Sequence, residues 1–424
     1  MNGRMVSGTA VTMLAASSLT TLGAIPPFLL AAQAVLIAED LGFGAAGLGV
    51  AVSTFFAVAA LVTISAARTI ERWSRRVSAA VAGGLVAAGG LILAVLSRDW
   101  WTVVLAMAVL GAGNAACQVT SNITLSRVLP PGRRGLGFGV KQSAVPAAIM
   151  LGGLAVPTTT AAFGWRSSFA ITGVLGLFVV VLALLRPDTV GGRARGARTR
   201  AWEGAPRGPL LLCGLAVTCG SAAANFFGAY LATWAYDVGL TVSQAALLMS
   251  GGSASSIVVR VLVGMRADRR HGGNLVVVAG QMAIGGICLT MIGAVHQPWS
   301  VVTFGILAFA LGWSWPGLLL YAVSRVGRDA PGQASSVVQA GAFVGGAVGP
   351  ATFGLVVAQG GFTPAWWAAA ASFAIAGALI MVARRGFRRD LVHRPPAQPF
   401  GYGGGRTDPR WVTGGESQDD SRTI

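Results

Sequence analysis

Twelve stretches of this chain are each long and apolar enough to cross a lipid bilayer, and that requirement restricts its folds more than any other feature. A spanning helix needs roughly 20 mostly apolar residues. The first six runs are Val11–Ile37, Ala45–Ala66, Val77–Leu96, Trp101–Ser126, Leu136–Ala162 and Ser167–Leu185. The next six are Pro209–Ala235, Ser243–Gly264, Leu275–Val295, Ser300–Val323, Ser335–Gln359 and Ala365–Ala383. Backbone polar groups have no water to bond in lipid, so each run is expected to close its own hydrogen bonds as a helix. Composition agrees: 11% of residues are charged, against about 25% in a soluble domain. The first run is too long for the apolar core of a secretory signal and reads as a membrane helix. The expected fold class is an all-α membrane protein.

The runs divide the chain. Residues 1–10 form a short N-terminus, 11–185 a first six-helix bundle, 186–208 a linker, 209–383 a second bundle and 384–424 a polar tail expected to be disordered. The linker holds Arg186, Arg193, Arg195, Arg198, Arg200 and Arg207 among Gly, Ala and Pro. Arginine fills the even-numbered loops, with Arg127, Arg133 and Arg134 after run 4 and Arg325 and Arg328 after run 10. The opposite loops carry Arg98 and Arg166 against Glu39, Asp40, Asp99 and Asp237. Positive loops stay cytoplasmic. Both termini are therefore expected inside, in a multi-pass protein of the cell membrane. The same distribution explains the net charge of +17 through insertion and anionic lipid, so nucleic acid is not expected as a partner.

The two bundles read as copies of one unit. Ala67-Arg68-Thr69-Ile70-Glu71-Arg72 follows run 2, and Gly264-Met265-Arg266-Ala267-Asp268-Arg269-Arg270 follows run 8, both read as loops. Glu71 and Asp268 stand 197 positions apart, as do Arg72 and Arg269. The same offset joins Asp40 to Asp237, Gly42 to Gly239, Ser53 to Ser250, Gln142 to Gln339 and Gly152 to Gly349. An even number of helices per copy keeps the halves parallel, which puts a substrate site near mid-membrane where they meet.

Two parallel six-helix halves, a basic central linker and G-x-x-x-D-R type segments after runs 2 and 8 resemble the major facilitator superfamily. Gly264, Asp268 and Arg269 stand in the family pattern. The first copy has Ala67, Glu71 and Ser74 in place of Gly, Asp and Gly, and keeps Arg72, Arg75 and Arg76. The resemblance implies two pseudo-symmetric bundles, alternating access, and a gating role for Glu71, Arg72, Gly264, Asp268 and Arg269. It also implies a cavity lined by helices 1, 4, 7 and 10 with support from 2, 5, 8 and 11. An arginine common early in helix 4 of the family is absent, its place falling near Met107. The stretch Gly139-Val140-Lys141-Gln142-Ser143-Ala144-Val145-Pro146 is similar to members grouped with cyanate and small organic-anion permeases.

Several chemistries find no residues. The only lysine among 31 basic residues is Lys141, and it follows Val140, so no phosphate-cradling G-x-x-x-x-G-K-[ST] loop exists. Cys117, Cys213, Cys219 and Cys288 lie inside apolar runs with no C-x-x-C spacing and read as small packing residues. Neither a metal cluster, a cofactor site nor a nucleophile–base–acid set is visible, so an enzyme is not expected.

Polar residues inside the runs mark the candidate site. Asn114, Gln118 and Asn122 fall at i, i+4 and i+8 on one face of run 4. Such a stripe serves either as interhelical hydrogen bonding or as cavity lining. Lys141 lies about 8 Å into run 5 at 1.5 Å per residue, within reach of a snorkelling side chain. With Gln142 it is also a candidate contact for an anion. Ser253, Ser256 and Arg260 form a stripe on run 8, where Arg260 suits either a latch or a substrate. Asn225, Phe226 and Tyr230 on run 7, Phe55 and Phe56 on run 2, Gln339 on run 11, and Trp313 and Trp315 on run 10 complete the set. Pro316 and the pair Pro26-Pro27 are expected to break or kink their helices. No Asp or Glu falls in the middle of a run, and exchange of cationic cargo for protons usually needs one.

The expected function is secondary active transport of a small organic anion by a chain acting as a monomer. A coupled proton would travel with the anion or on Lys141. Two other readings stand beside it: a proton-antiport exporter of drugs or metabolites, and a membrane sensor that does not transport.

Overall fold

The computed structural model describes residues 2–128, 141–185, 206–269, 273–326, 331–393, 401–402 and 406–407. Twelve helices among them are long and apolar enough to span a membrane. They are α1 (Val11–Ala32), α2 (Ala45–Ala66), α3 (Arg75–Leu96), α4 (Trp100–Thr124), α5 (Ala144–Phe163) and α6 (Trp165–Leu185) in the first half. The second half holds α7 (Arg207–Asp237), α8 (Val242–Ala267), α9 (Asn274–Ala294), α10 (Pro298–Ser324), α11 (Ser336–Gly360) and α12 (Phe362–His393). The only sheet among the described residues pairs Gly401–Tyr402 with Arg406–Thr407 beyond the bundle.

Several element ends differ from the hydropathy reading. The helix carrying α1 passes through Pro26 and Pro27 without interruption. The chain breaks instead at Gln33, before a short helix Ala34–Leu41. The two arginine-rich segments after runs 2 and 8 are helical rather than loops, in Ala45–Arg72 and Val242–Arg269. Alanine, methionine, glutamate and arginine are strong helix formers, and basic residues suit a helix C-terminus, so nothing local stops either helix earlier. Ser74 then caps the next helix, its hydroxyl accepting from Val77 N at 3.3 Å. α12 runs past Ala383 to His393, and the buried Phe387 anchors the added turns. The linker to residue 205 and most of the tail lie outside the described residues.

The halves meet along two equivalent seams. α2 packs on α11, and α5 packs on α8. Ser53 and its repeat partner Ser250 each bond across one seam. Ala351 N donates to Ser53 Oγ at 2.9 Å, and Ser250 Oγ donates to Met150 O at 3.0 Å. Glycine permits both approaches: a Cβ on Gly49 would strike Pro350 O and the Tyr230 hydroxyl, and one on Gly153 would strike Ser250 Oγ and Ala246 O.

Twelve alternating spans bring the start of α1 and the end of α12 to one face of the bundle, the terminal face. On the opposite face the N-terminal half is pinned by charge. Trp165 Nε1 and Arg166 Nη1 donate to Asp40 Oδ2 at 3.0 and 2.7 Å, and Arg166 Nη2 donates to Ser97 O at 2.8 Å. The indole donor and the guanidinium together hold the Asp40 carboxyl below its ordinary value.

Candidate functional site

A central cavity of about 130 Å³ lies where the halves meet. Its walls come from α1, α2, α4, α7, α8, α10 and α11, and from α5 with the turn ahead of it. α3, α6, α9 and α12 contribute no lining residue. α10, α4 and α7 are the most buried spans and α6 the least, as expected if polar helices gather inside and apolar ones face lipid.

Lys141 and Gln142 form a helical turn separated from α5 by Ser143. Lys141 is 7% exposed, so it is enclosed rather than extended to the headgroups. Its Nζ donates to Asn122 Oδ1. The polar stripe of α4 is thus divided: Asn122 holds the lysine, while Asn114 and Gln118 line the cavity.

Arg260 reaches in from the other half. Its Nη1 donates to Gln142 O at 2.7 Å and its Nη2 to Trp313 O at 2.6 Å. The second acceptor exists because α10 is broken. A π-helical turn, Ala308–Gly312, ends at Trp313, and α-helix resumes at Trp315. Pro316 has no N–H for the Gly312 carbonyl four residues back, and its ring would collide with that carbonyl. The Trp313 carbonyl lies in the resulting break, ahead of the resumed helix, and accepts the guanidinium. Arg260 Nε keeps no partner. Of the stripe on α8, Ser256 Oγ sits 3.3 Å from Ser314 Oγ, and Ser253 is buried without a partner.

Asn225, Trp313, Trp315 and Gln339 also border the cavity. Asn225 Nδ2 donates to Ser221 O of its own helix at 2.8 Å. Trp313 stacks on Phe309 at 5.6 Å and meets Phe28 edge-on at 6.3 Å. Nine of the ten residues expected to touch substrate therefore surround one space. Tyr230 is the exception. Its hydroxyl donates to Ala45 O at 2.6 Å and lies 3.3 Å from Pro350 O, which makes it a tie between the halves. Aromatic character and a position on α7 could not separate a ring facing the cavity from one turned toward α2.

Other lining residues were harder to read in sequence. Phe28 and Phe343 are apolar residues in apolar helices, and nothing in the chain distinguishes them from packing. Ser221 likewise gave no signal. Met107 is fully buried in the apolar core. Among the gating candidates, Gly264 and Arg72 lie in the last turns of their helices. The side chains of Glu71, Asp268 and Arg269 fall outside the described residues.

No aspartate or glutamate lines the cavity among the described residues. Its ionisable groups are Lys141 from one half and Arg260 from the other, both held by neutral oxygens. In a low-dielectric interior such cations favour a negative guest.

Two related six-helix halves enclosing a polar space define a multi-pass membrane protein of the transporter type. The chain belongs to the Major Facilitator Superfamily, whose sequence model matches residues 6–350 and 214–401. No curated protein sequence matches it. Among solved structures, the fold is similar to a bacterial homologue of the human lysosomal transporter Spinster, in inward-facing and unoccupied form. The TM-score is 0.69 at 16% identity, over 90% of this chain and 98% of that one. The occupied form of the same homologue aligns with a TM-score of 0.67 at 16% identity, over 90% and 98% of the two chains. The nucleoside transporter NupG, in mutant form, aligns with a TM-score of 0.68 at 13% identity, over 88% and 99%.

Proposed function

We propose that this protein is a secondary active transporter that moves a small organic anion by alternating access of the two halves to its central cavity. The observation that carries the reading is the pairing of Lys141 and Arg260 around one space that no carboxylate borders among the described residues. A cationic cargo would face uncompensated repulsion there, and an anion would complete both groups. The exporter driven by proton antiport lacks the carboxylate that such exchange commonly uses.

The distribution of arginine supports termini on the cytoplasmic side of the cell membrane. The ties through Tyr230, Ser53 and Ser250 then lie toward the outer side. The Lys141, Arg260 and Gln339 ends of the cavity lie toward the inner side. Rocking the halves apart along the two seams would open the outer side, with the segments holding Glu71, Arg72, Gly264, Asp268 and Arg269 closing the inner one. A coupled proton would cross with the anion or on Lys141.

The test is uptake of radiolabelled organic anions into liposomes containing the purified protein. Lys141→Ala is expected to lower uptake roughly 10- to 100-fold, the loss of one charge-assisted hydrogen bond, while the protein elutes and melts as the wild type does. Uptake by the variant at the wild-type rate would remove Lys141 from the site, and a preference for cations by the wild type would overturn the reading.

A further inference from the structure

Two cations border the central cavity, and among the described residues neither is in an ion pair. Lys141 Nζ carries three N–H groups and gives one to Asn122 Oδ1, a neutral amide oxygen. Arg260 Nη1 carries two and gives one to Gln142 O, a neutral carbonyl. Both of these bonds are only part-buried, whereas the bond from Arg260 Nη2 to Trp313 O is buried. Lys141 Nζ and Arg260 Nη1 are therefore the donors that combine spare N–H groups with an incompletely buried setting. Neutral oxygens solvate a cation without cancelling its field, which is strong in a low-dielectric interior, and a buried charge is ordinarily paired with its opposite.

The two cations come from different halves, Lys141 from the turn ahead of α5 and Arg260 from α8. A guest with one negative charge cancels one of them and leaves the other with neutral partners only. A guest with two cancels both and engages both halves at once. The cavity, about 130 Å³, is close to the void of about 150 Å³ that holds one benzene molecule, so both charges belong on a short molecule. Gln118, Gln142 and Gln339 line the same space and are half-buried. Gln142 and Gln339 are repeat partners, so amide N–H groups for the remaining oxygens of such a guest stand on both walls.

Resting on the anion reading above, we propose that the substrate is a small dicarboxylate carrying two negative charges, one carboxylate accepting from Lys141 Nζ and the other from Arg260 Nη1. The number of charges, rather than the length of the molecule, is what the site selects.

Calorimetry on the purified full-length protein, in chloride-free buffer at neutral pH, tests this with matched probes. Oxalate, malonate and succinate are each compared with their own monoamide and neutral diamide, which keep the size and remove first one charge and then both. At least one dicarboxylate is expected to bind about 10- to 100-fold tighter than its own monoamide, the worth of one charge-assisted hydrogen bond. Lys141→Gln should abolish most of that ratio, because one cation then remains. A wild type that binds the monoamides as tightly as the dicarboxylates overturns this proposal and leaves the anion reading standing. So does a ratio that survives Lys141→Gln in a variant that melts as the wild type does. Diamides binding as well as the acids, or no binding by any acid, overturn both. The wild-type comparison decides the matter even if the variant fails to fold.

Discussion

Lys141 and Arg260 are bound differently, and the difference predicts different tolerance to substitution. Arg260 spends its two terminal nitrogens on carbonyls from opposite halves. A lysine has no planar fork to span both acceptors. Arg260→Lys is expected to lose transport about as completely as an alanine would, and to lower the melting temperature as well, since a freed carbonyl stays buried. Lys141 donates to a single amide oxygen, so Lys141→Arg should retain part of the uptake that Lys141→Ala loses. The presence of one lysine among so many arginines pointed to this position from sequence. The same line of reasoning included Tyr230, which bonds across the halves rather than lining the cavity, because residue type and depth do not say which way a ring turns. At the opposite face, Asp40 offers a pH test. Its carboxyl is held below the ordinary 3.8 by Trp165 and Arg166, so its contribution is present above that value and is lost as pH falls through the lowered one. The pair is exposed on both sides, so Asp40→Asn should cost no more than about 1 kcal/mol at neutral pH. The gap between the two melting curves should shrink steadily below about pH 4, and a gap that stays constant with pH would exclude the ion pair as its source.

At the scale of the helix, the interruption of α10 lies beside the cavity. The break in α10 frees the carbonyl that holds Arg260. Pro316→Ala would restore an N–H for the Gly312 carbonyl and favour a continuous α-helix, in which the Trp313 carbonyl would accept from Gly317 N in competition with Arg260. The expected result is equal or greater thermal stability with reduced transport; unchanged transport would show that the break is not needed to aim the guanidinium. The α2–α11 seam gives the complementary case. Tyr230→Phe removes a hydroxyl that ties α7 to α2, a loss of about 1 kcal/mol that should fall on the closed outer side. Cysteine probes placed at the outer ends of α2 and α11 should label faster in that variant. Equal labelling would make Tyr230 a packing residue. Pro316 was readable in the chain as a breaker. The partner of the exposed carbonyl was not, because Arg260 and Trp313 are far apart in sequence and meet only by packing.

For the whole molecule, the equilibrium between two arrangements of rigid halves is the property to test. Asp268 ends α8 in the segment that best matches the family pattern, and its weaker counterpart is Glu71. Asp268→Asn is expected to shift the balance between inner and outer opening, read as opposite changes in cysteine accessibility at the two faces. Glu71→Gln should shift it less. Accessibility that is the same before and after Asp268→Asn would sink the idea. Membrane topology is independently testable: a fluorescent reporter fused after residue 424 should light up in the cytoplasm, and a periplasm-dependent enzyme fused there should stay inactive.

Sequence alone determined the number of spans, the repeat at 197 positions, the superfamily and the helices that carry polar residues. These follow from local rules, since lipid penalises every unbonded backbone group and every charge wherever it lies along the chain. Only the tertiary structure decided which polar residues share a space. Asn114 and Asn122 lie on one face of one helix, yet one borders the cavity and the other holds Lys141. Tyr230 has the composition of a site residue and serves as a tie. Phe28 and Phe343 have the composition of packing and form the wall. Helix rotation sets those outcomes, and rotation is fixed by contacts between helices distant in sequence, such as Gly49 against Pro350 and Gly153 against Ser250.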